Sequence, residues 1–331
     1  MIEFGVFLPT FLTDDGPRAE AVRNFARAAE RIGYDSIWVT DHLIRANRFY
    51  RVAWLEPMSV LTYVAAVTER VRLGTGILIM PLRHPVLLAK EIATLQELSG
   101  GRFILGGGTG WFDREFEAIG RSKAHRGTLT DEIFELVDRL LREDSVTYDG
   151  RHFQLREVSI EPRGRRPPFW VAGGSQVPRA ESPERPSLHG RVLARIVRGD
   201  GWVTRPTALP EQIEADWAVI HPALAEAGVD LDRFVVSHEN FCHVVDTDDE
   251  DEALEAQRNA YARIMSDERP FEYFQQVYLT GTPPEIVDRL VARARAGVRY
   301  FMLHPLTSDP EQLEAWWDLI VGPVRRAFEP A

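Results

Sequence analysis

The chain has 331 residues, 44% of them hydrophobic and 27% charged, which supplies a large apolar core and excludes a disordered polar chain. Its formal charge of −11 opposes a broad nucleic-acid surface, which needs clustered cations. Cys242 is the only cysteine, so an intramolecular disulfide and a cysteine-based zinc cluster are both excluded.

The opening run MIEFGVFLPTF reads as a strand over 2–8. It has no basic region and its apolar run is short for a signal peptide, so a cytoplasmic setting is expected. A helix follows over 17–32, then a strand over 36–40, a loop rich in arginine and aromatics, and a helix over 56–68. A third strand covers 71–76, a third helix 84–98, and a fourth strand 102–106. After a variable segment containing residues 111–119, a helix covers 128–142. Residues 145–155 read as a small β-hairpin centred on Asp149-Gly150, because Asp-Gly supplies the positive φ angles of a tight turn. Strands five to eight fall at 169–172, 202–204, 234–236 and 299–303. Helices fall around 188–197, 210–227, 249–265 and 283–296, and the proline-rich stretch 176–189 reads as a mobile insertion. No apolar run approaches the roughly 18–20 residues that cross a bilayer.

Strands alternating with helices at this spacing call for a parallel sheet, and eight such units call for closure. The fold class is therefore α/β, a (β/α)8 TIM barrel with insertions forming one domain over 1–331; an open doubly wound sheet is the alternative. The strands are continuous apolar runs, as expected when both faces are buried.

Nearly every strand ends in small or polar residues: Thr40-Asp41-His42, Gly74-Thr75-Gly76, Gly107-Gly108-Thr109-Gly110, Gly173-Gly174-Ser175, and later Ser237-His238-Glu239-Asn240 and His304-Pro305. In a barrel these ends share the rim that carries active sites. Asp41-His42 is the sharpest pair, since imidazole exchanges a proton near neutral pH; a helix cap or a packed loop histidine fits the same residues. Trp111 fits either a ring stacked on a flat ligand or barrel packing, and Arg45, Arg48, Arg51 and Arg83 could face an anion or simply be solvated. No His-x-His or His-Glu-x-x-His spacing supports a metal. The glycine run fails the dinucleotide fingerprint, because Trp111 or Asp113 stands where its last glycine belongs.

The segment AERIGYDSIWVTDH, the long stretch RLGTGILIMPLRHPVLLAKEIATLQELSGGRFILGGGTGW, and the later Pro167 to Ser175, Gly199-Asp200-Gly201-Trp202 and Gly281-Thr282-Pro283 resemble, in order, the bacterial luciferase-like oxidoreductases. Within that family the likeness is to the branch that uses the 5-deazaflavin coenzyme F-420; the alternative cofactor is FMN. The resemblance implies hydride transfer between F-420 and a small organic substrate, with an FMNH2-dependent monooxygenase and a non-catalytic flavin-binding barrel as the other readings. It implies that Asp41 and His42 lie by the reactive edge of the cofactor, with His42 handling a proton. It also implies a cis peptide at Gly76-Ile77 behind the ring, approach by Thr109, Gly110 and Trp111, and a phosphate cradle at Gly173, Gly174 and Ser175. A homodimer, and a separate reductase supplying reduced cofactor, are implied as well. The sequence departs from the family's sugar-phosphate dehydrogenase: Ala46 stands four residues after His42 and Trp111 follows Thr109-Gly110, where that enzyme has tryptophan and glutamate.

Overall fold

A computed structural model describes residues 2–12, 19–46, 48–163, 166–175 and 188–329. Eight parallel strands close on themselves: β1 (Glu3–Phe7), β2 (Ser36–Val39), β3 (Arg72–Thr75), β4 (Phe103–Gly108), β5 (Phe169–Ala172), β6 (Gly201–Thr204), β7 (Val235–Cys242) and β8 (Tyr300–Pro305). Closure runs through Glu3 beside Tyr300, where β1 meets β8, and through Phe169 beside Leu105, where β5 meets β4. The barrel expected from strand counting is the fold observed.

Side-chain alternation sorts the strands into two layers. Phe4 and Val6 of β1 point outward into the main core beneath the helices, while Phe7 joins Trp38, Ile104, Trp170, Val203, Tyr300 and Met302 inside the barrel. Trp38 fits there because both strands beside it are cut back to glycine: a Cβ on Gly5 or Gly74 would lie 2.4 or 2.3 Å from its indole. Its Nε1–H and the Tyr300 hydroxyl both donate to Ser36 Oγ, so the polar atoms of this interior plug are satisfied. The barrel interior is thus packed at this level.

Helices begin where the sequence signals place them. Pro57, Pro85, Pro210 and Pro283 each open a helix, where a missing N–H costs nothing. Glu56 caps the helix Pro57–Ala65 by accepting the Met58 and Ser59 amides, and His84 caps Pro85–Leu98 through the Val86 amide. His84 is therefore a cap. Stretch 176–187 of the expected insertion lies outside the described residues.

Three expectations need correction. Strand β7 continues to Cys242 instead of stopping at Val236, because β8 pairs with every residue from Ser237 to Cys242 and the polar side chains find partners. His238 meets the Thr204 hydroxyl, and Asn240 binds the Pro206 and Val277 carbonyls and the Leu279 amide. The hairpin pairs Val146–Asp149 with Gln154–Val158, so Asp149 faces Gln154 and residues 150–153 form the connection. That longer turn is held by Glu132, whose carboxylate accepts the Arg151, His152 and Phe153 amides. Residues 270–278, left without an element between the helices expected over 249–265 and 283–296, contain the helix Phe271–Val277.

Candidate active site

The ends of β2, β3, β4, β5, β6 and β7 enclose a cavity of about 350 Å³ directly above the interior plug. Asp41, His42, Gly76, Ile77, Thr109, Gly110, Trp111 and Gly173, all singled out from sequence, line it together. Gly174 and Ser175 follow at its β5 edge.

His42 is anchored from behind. Its Nδ1 lies 3.1 Å from Glu115 Oε1, and the same oxygen accepts the Leu43 amide at 2.7 Å. Both side chains are buried, at 6% and 0% exposure. A carboxylate only accepts, so Nδ1 carries the hydrogen and Nε2 is left without a protein partner among the described residues. The ring lies among Trp54, Tyr50 and Trp111, with centroids 5.1, 5.5 and 5.5 Å away. Gly110 makes the approach of Trp111 possible: its φ of +68° is a conformation that side chains resist.

Asp41 plays a different part. Its carboxylate accepts the Ile79 amide at 2.8 Å and pairs with Arg83 at 2.8 Å. Burial pushes its pKa up, against the pull of the guanidinium and the amide. Asp41 therefore ties the β2 end to the segment after β3, which includes the cis Gly76-Ile77 peptide. Ile77 in turn lies against β4, for a Cβ on Gly108 would come within 2.6 Å of its Cδ1.

Three more groups belong to this rim. Glu239 of β7 faces the cavity beside Gly76 with no hydrogen bond among the described residues, and burial pushes its carboxyl up to about 8. Arg205, just past β6, lines the same cavity; its Nε is buried without a partner among the described residues, and a Cβ on Gly174 would lie 3.6 Å from it. His304 stacks between Phe7 and Phe241, and burial holds its pKa down at about 4. With the Pro305 carbonyl taking the Nδ1 hydrogen, His304 Nε2 accepts the Thr40 hydroxyl. It is a neutral packing residue.

The other arginines of the β2 loop turn away: Arg48 pairs with Glu268 and Arg51 with Asp267 at exposed positions. Among the described residues no group of three acidic, histidine or cysteine side chains could hold a metal, and no helix is long and apolar enough to cross a membrane.

The profile of the luciferase-like monooxygenase family matches residues 2–300. The chain belongs to that family.

Its relatives divide between two kinds of redox enzyme. The luciferase-like chain is 29% identical over 292 residues to 4-hydroxyprotoasukamycin monooxygenase of Streptomyces nodosus subsp. asukaensis, covering 86% of this chain and 72% of that one. It is 36% identical to the F-420-dependent glucose-6-phosphate dehydrogenase of Kineococcus radiotolerans, over 46% of each chain. The solved structure of an F-420-dependent secondary alcohol dehydrogenase, in complex with an F-420–acetone adduct, superposes with a TM-score of 0.79 over 98% of this chain and 99% of that one at 20% identity, a likeness of fold.

The luciferase-like barrel offers features that suit a phosphate-bearing flat cofactor: an orphaned guanidinium Nε beside two consecutive glycines, and a rim pared to glycine at 76, 108 and 110. One feature differs from the expected cradle. The Ser175 amide donates to Asp216 at 2.8 Å and its hydroxyl is also on Asp216, so in this structure these donors serve a carboxylate. Sequence reading named neither Glu115, Arg205 nor Glu239 as site residues. Glu239 stood in the polar strand ends and Arg205 directly follows β6; Glu115 left no comparable signal, since its contact with His42 spans 73 residues.

Proposed function

We propose that this enzyme transfers a hydride between coenzyme F-420 and a small organic substrate, with His42 taking or giving the accompanying proton. The observation that carries this reading is that His42 lines the cavity with no hydrogen bond to Nε2 among the described residues, while Glu115 fixes the hydrogen on Nδ1. A deazaflavin bound in the cavity would supply two-electron hydride chemistry. Ile77, Gly108 and Gly110 would hold its ring, and Arg205 with Gly173 and Gly174 its phosphate. His42 moves a proton at Nε2, Glu115 stabilises the imidazolium that forms, and Trp111, Tyr50 and Trp54 screen that nitrogen from bulk water.

An FMNH2-dependent monooxygenase is the second reading, favoured by the extent of the alignment with 4-hydroxyprotoasukamycin monooxygenase. Titrating the protein with F-420 and with FMN, each followed by visible absorbance, separates the two. Binding of F-420 together with loss of turnover in His42→Ala is the expected result; binding of FMN alone transfers the assignment to the second reading. Cofactor binding with undiminished turnover in His42→Ala overturns the role of the histidine.

A further inference from the structure

A second chamber, of about 500 Å³, opens from the first through a neck formed by Tyr50, Trp111, Arg205 and Pro206. Its walls are largely aromatic: Phe49, Tyr273, Phe274 and Tyr278 join Tyr50 and Trp111. Such walls favour a flat apolar body. Three charged groups reach this chamber besides Arg205, namely Glu268, Arg269 and, through its pairing with Glu268, Arg48.

Arg269 is the exception among them. It is half-buried, with its guanidinium carbon 4.8 Å from the Phe49 centroid and 4.5 Å from that of Tyr273. Its one hydrogen bond among the described residues runs from Nη1 to the Tyr273 hydroxyl at 3.0 Å. The adjacent acids are already taken, Glu268 by Arg48 and Asp267 by Arg51. In a chain with 50 acidic residues against 39 basic ones, a half-buried guanidinium with no carboxylate partner among the described residues is conspicuous. It retains donors in the planar fork that matches a carboxylate bidentately. The two aromatic rings hold the guanidinium by cation–π contact, and its remaining donors are left to receive a ligand.

We propose that the outer chamber binds an aryl carboxylate, with its ring among the aromatic walls and its carboxylate on Arg269. This rests on the inner cavity's holding the cofactor, and it identifies the organic substrate as an aromatic acid whose reacting end points through the neck toward His42. A carboxylate suits the site better than a phosphate: Arg205 lies at the neck, so Arg269 alone supplies positive charge at the far wall, and the described lining residues include no glycine loop.

The test is a titration of the full-length protein with 4-biphenylcarboxylate and with 4-biphenylcarboxamide, followed by calorimetry. The carboxylate should bind at least about ten-fold more tightly than the amide. Arg269→Gln should erase that difference by weakening the acid alone, and Arg269→Lys should restore part of it. Equal affinities of acid and amide for the unaltered protein overturn the proposal, whether or not a variant folds, as does a preference that survives in Arg269→Gln. Parallel titrations with F-420 and FMN keep the readings apart. An acid preference without binding of either cofactor sinks the redox assignment and leaves the carboxylate site standing; the reverse result sinks the site alone.

Discussion

Glu115 and His42 meet through a buried hydrogen bond of 3.1 Å, although one belongs to the short helix after β4 and the other to the end of β2. The pair gives the imidazole one orientation and one neutral tautomer.

Glu115→Gln keeps the shape and an acceptor but removes the negative charge behind the ring. A hydrogen bond to a charged group contributes about 1.5–3 kcal/mol, so turnover should fall by roughly ten- to a hundred-fold. The imidazolium that forms when His42 takes the proton loses its stabilising partner. Steady-state kinetics of the variant, with the orientation of the His42 ring followed by NMR, are the check; an unchanged kcat would show that Glu115 is packing alone.

Asp41 and Arg83 form a largely enclosed ion pair, with side-chain exposures of 2% and 16%. Removing one partner of such a pair leaves a charge uncompensated, so Asp41→Ala should destabilise the fold by about 3 kcal/mol. Asp41→Asn, which can still accept the Ile79 amide, should cost less. Denaturant melts of the two variants supply the comparison, and equal melts would contradict this account.

Glu239 makes stability depend on pH. Its pKa rises from 4.5 to about 8 on folding. Between those values the native state holds the proton and the unfolded state has lost it. The unfolded state thus binds fewer protons, and the contribution of Glu239 to stability declines as pH climbs through this window. Below 4.5 the group is neutral in both states and contributes no slope. Glu239→Gln should flatten this part of the curve in melts taken from about pH 5 to about pH 9. Parallel curves for the two proteins would mean that Glu239 is ionised in the native state.

Gly108→Ala should disturb the cavity without entering it. The new methyl would sit 2.6 Å from Ile77 Cδ1, an overlap that such overpacking resolves at about 1–3 kcal/mol by moving the side chain. Cofactor affinity should drop together with thermal stability. Gly190→Ala, where nothing lies within 4 Å and φ is not positive, serves as the comparison.

Much of this was legible before any coordinates. Ser36-Ile-Trp-Val-Thr-Asp-His shows a buried strand breaking into polar residues, and in a barrel that pattern can only face the rim. Ser237 to Asn240 defeated the same logic, because polar residues inside a strand look like its end until buried partners such as Thr204 account for them. Phe271, Phe274 and Tyr278 carry helical spacing, yet Pro270 and the surrounding polar residues disguised the helix as a loop. Glu115 shows a deeper limit: an acidic residue in the first turn of a helix is explained by the helix alone, and only the tertiary fold reveals that it meets His42.

The neck between the two chambers divides labour along the chain. His42 and Glu115 come from the end of β2 and the short helix after β4, whereas the far wall of the outer chamber is one contiguous stretch, 265–278, in the connection from β7 to β8. Substitutions within 265–278 therefore reshape the outer chamber while leaving the contact between His42 and Glu115 in place, so that what enters the barrel and what lies beneath it are set by separate parts of the chain.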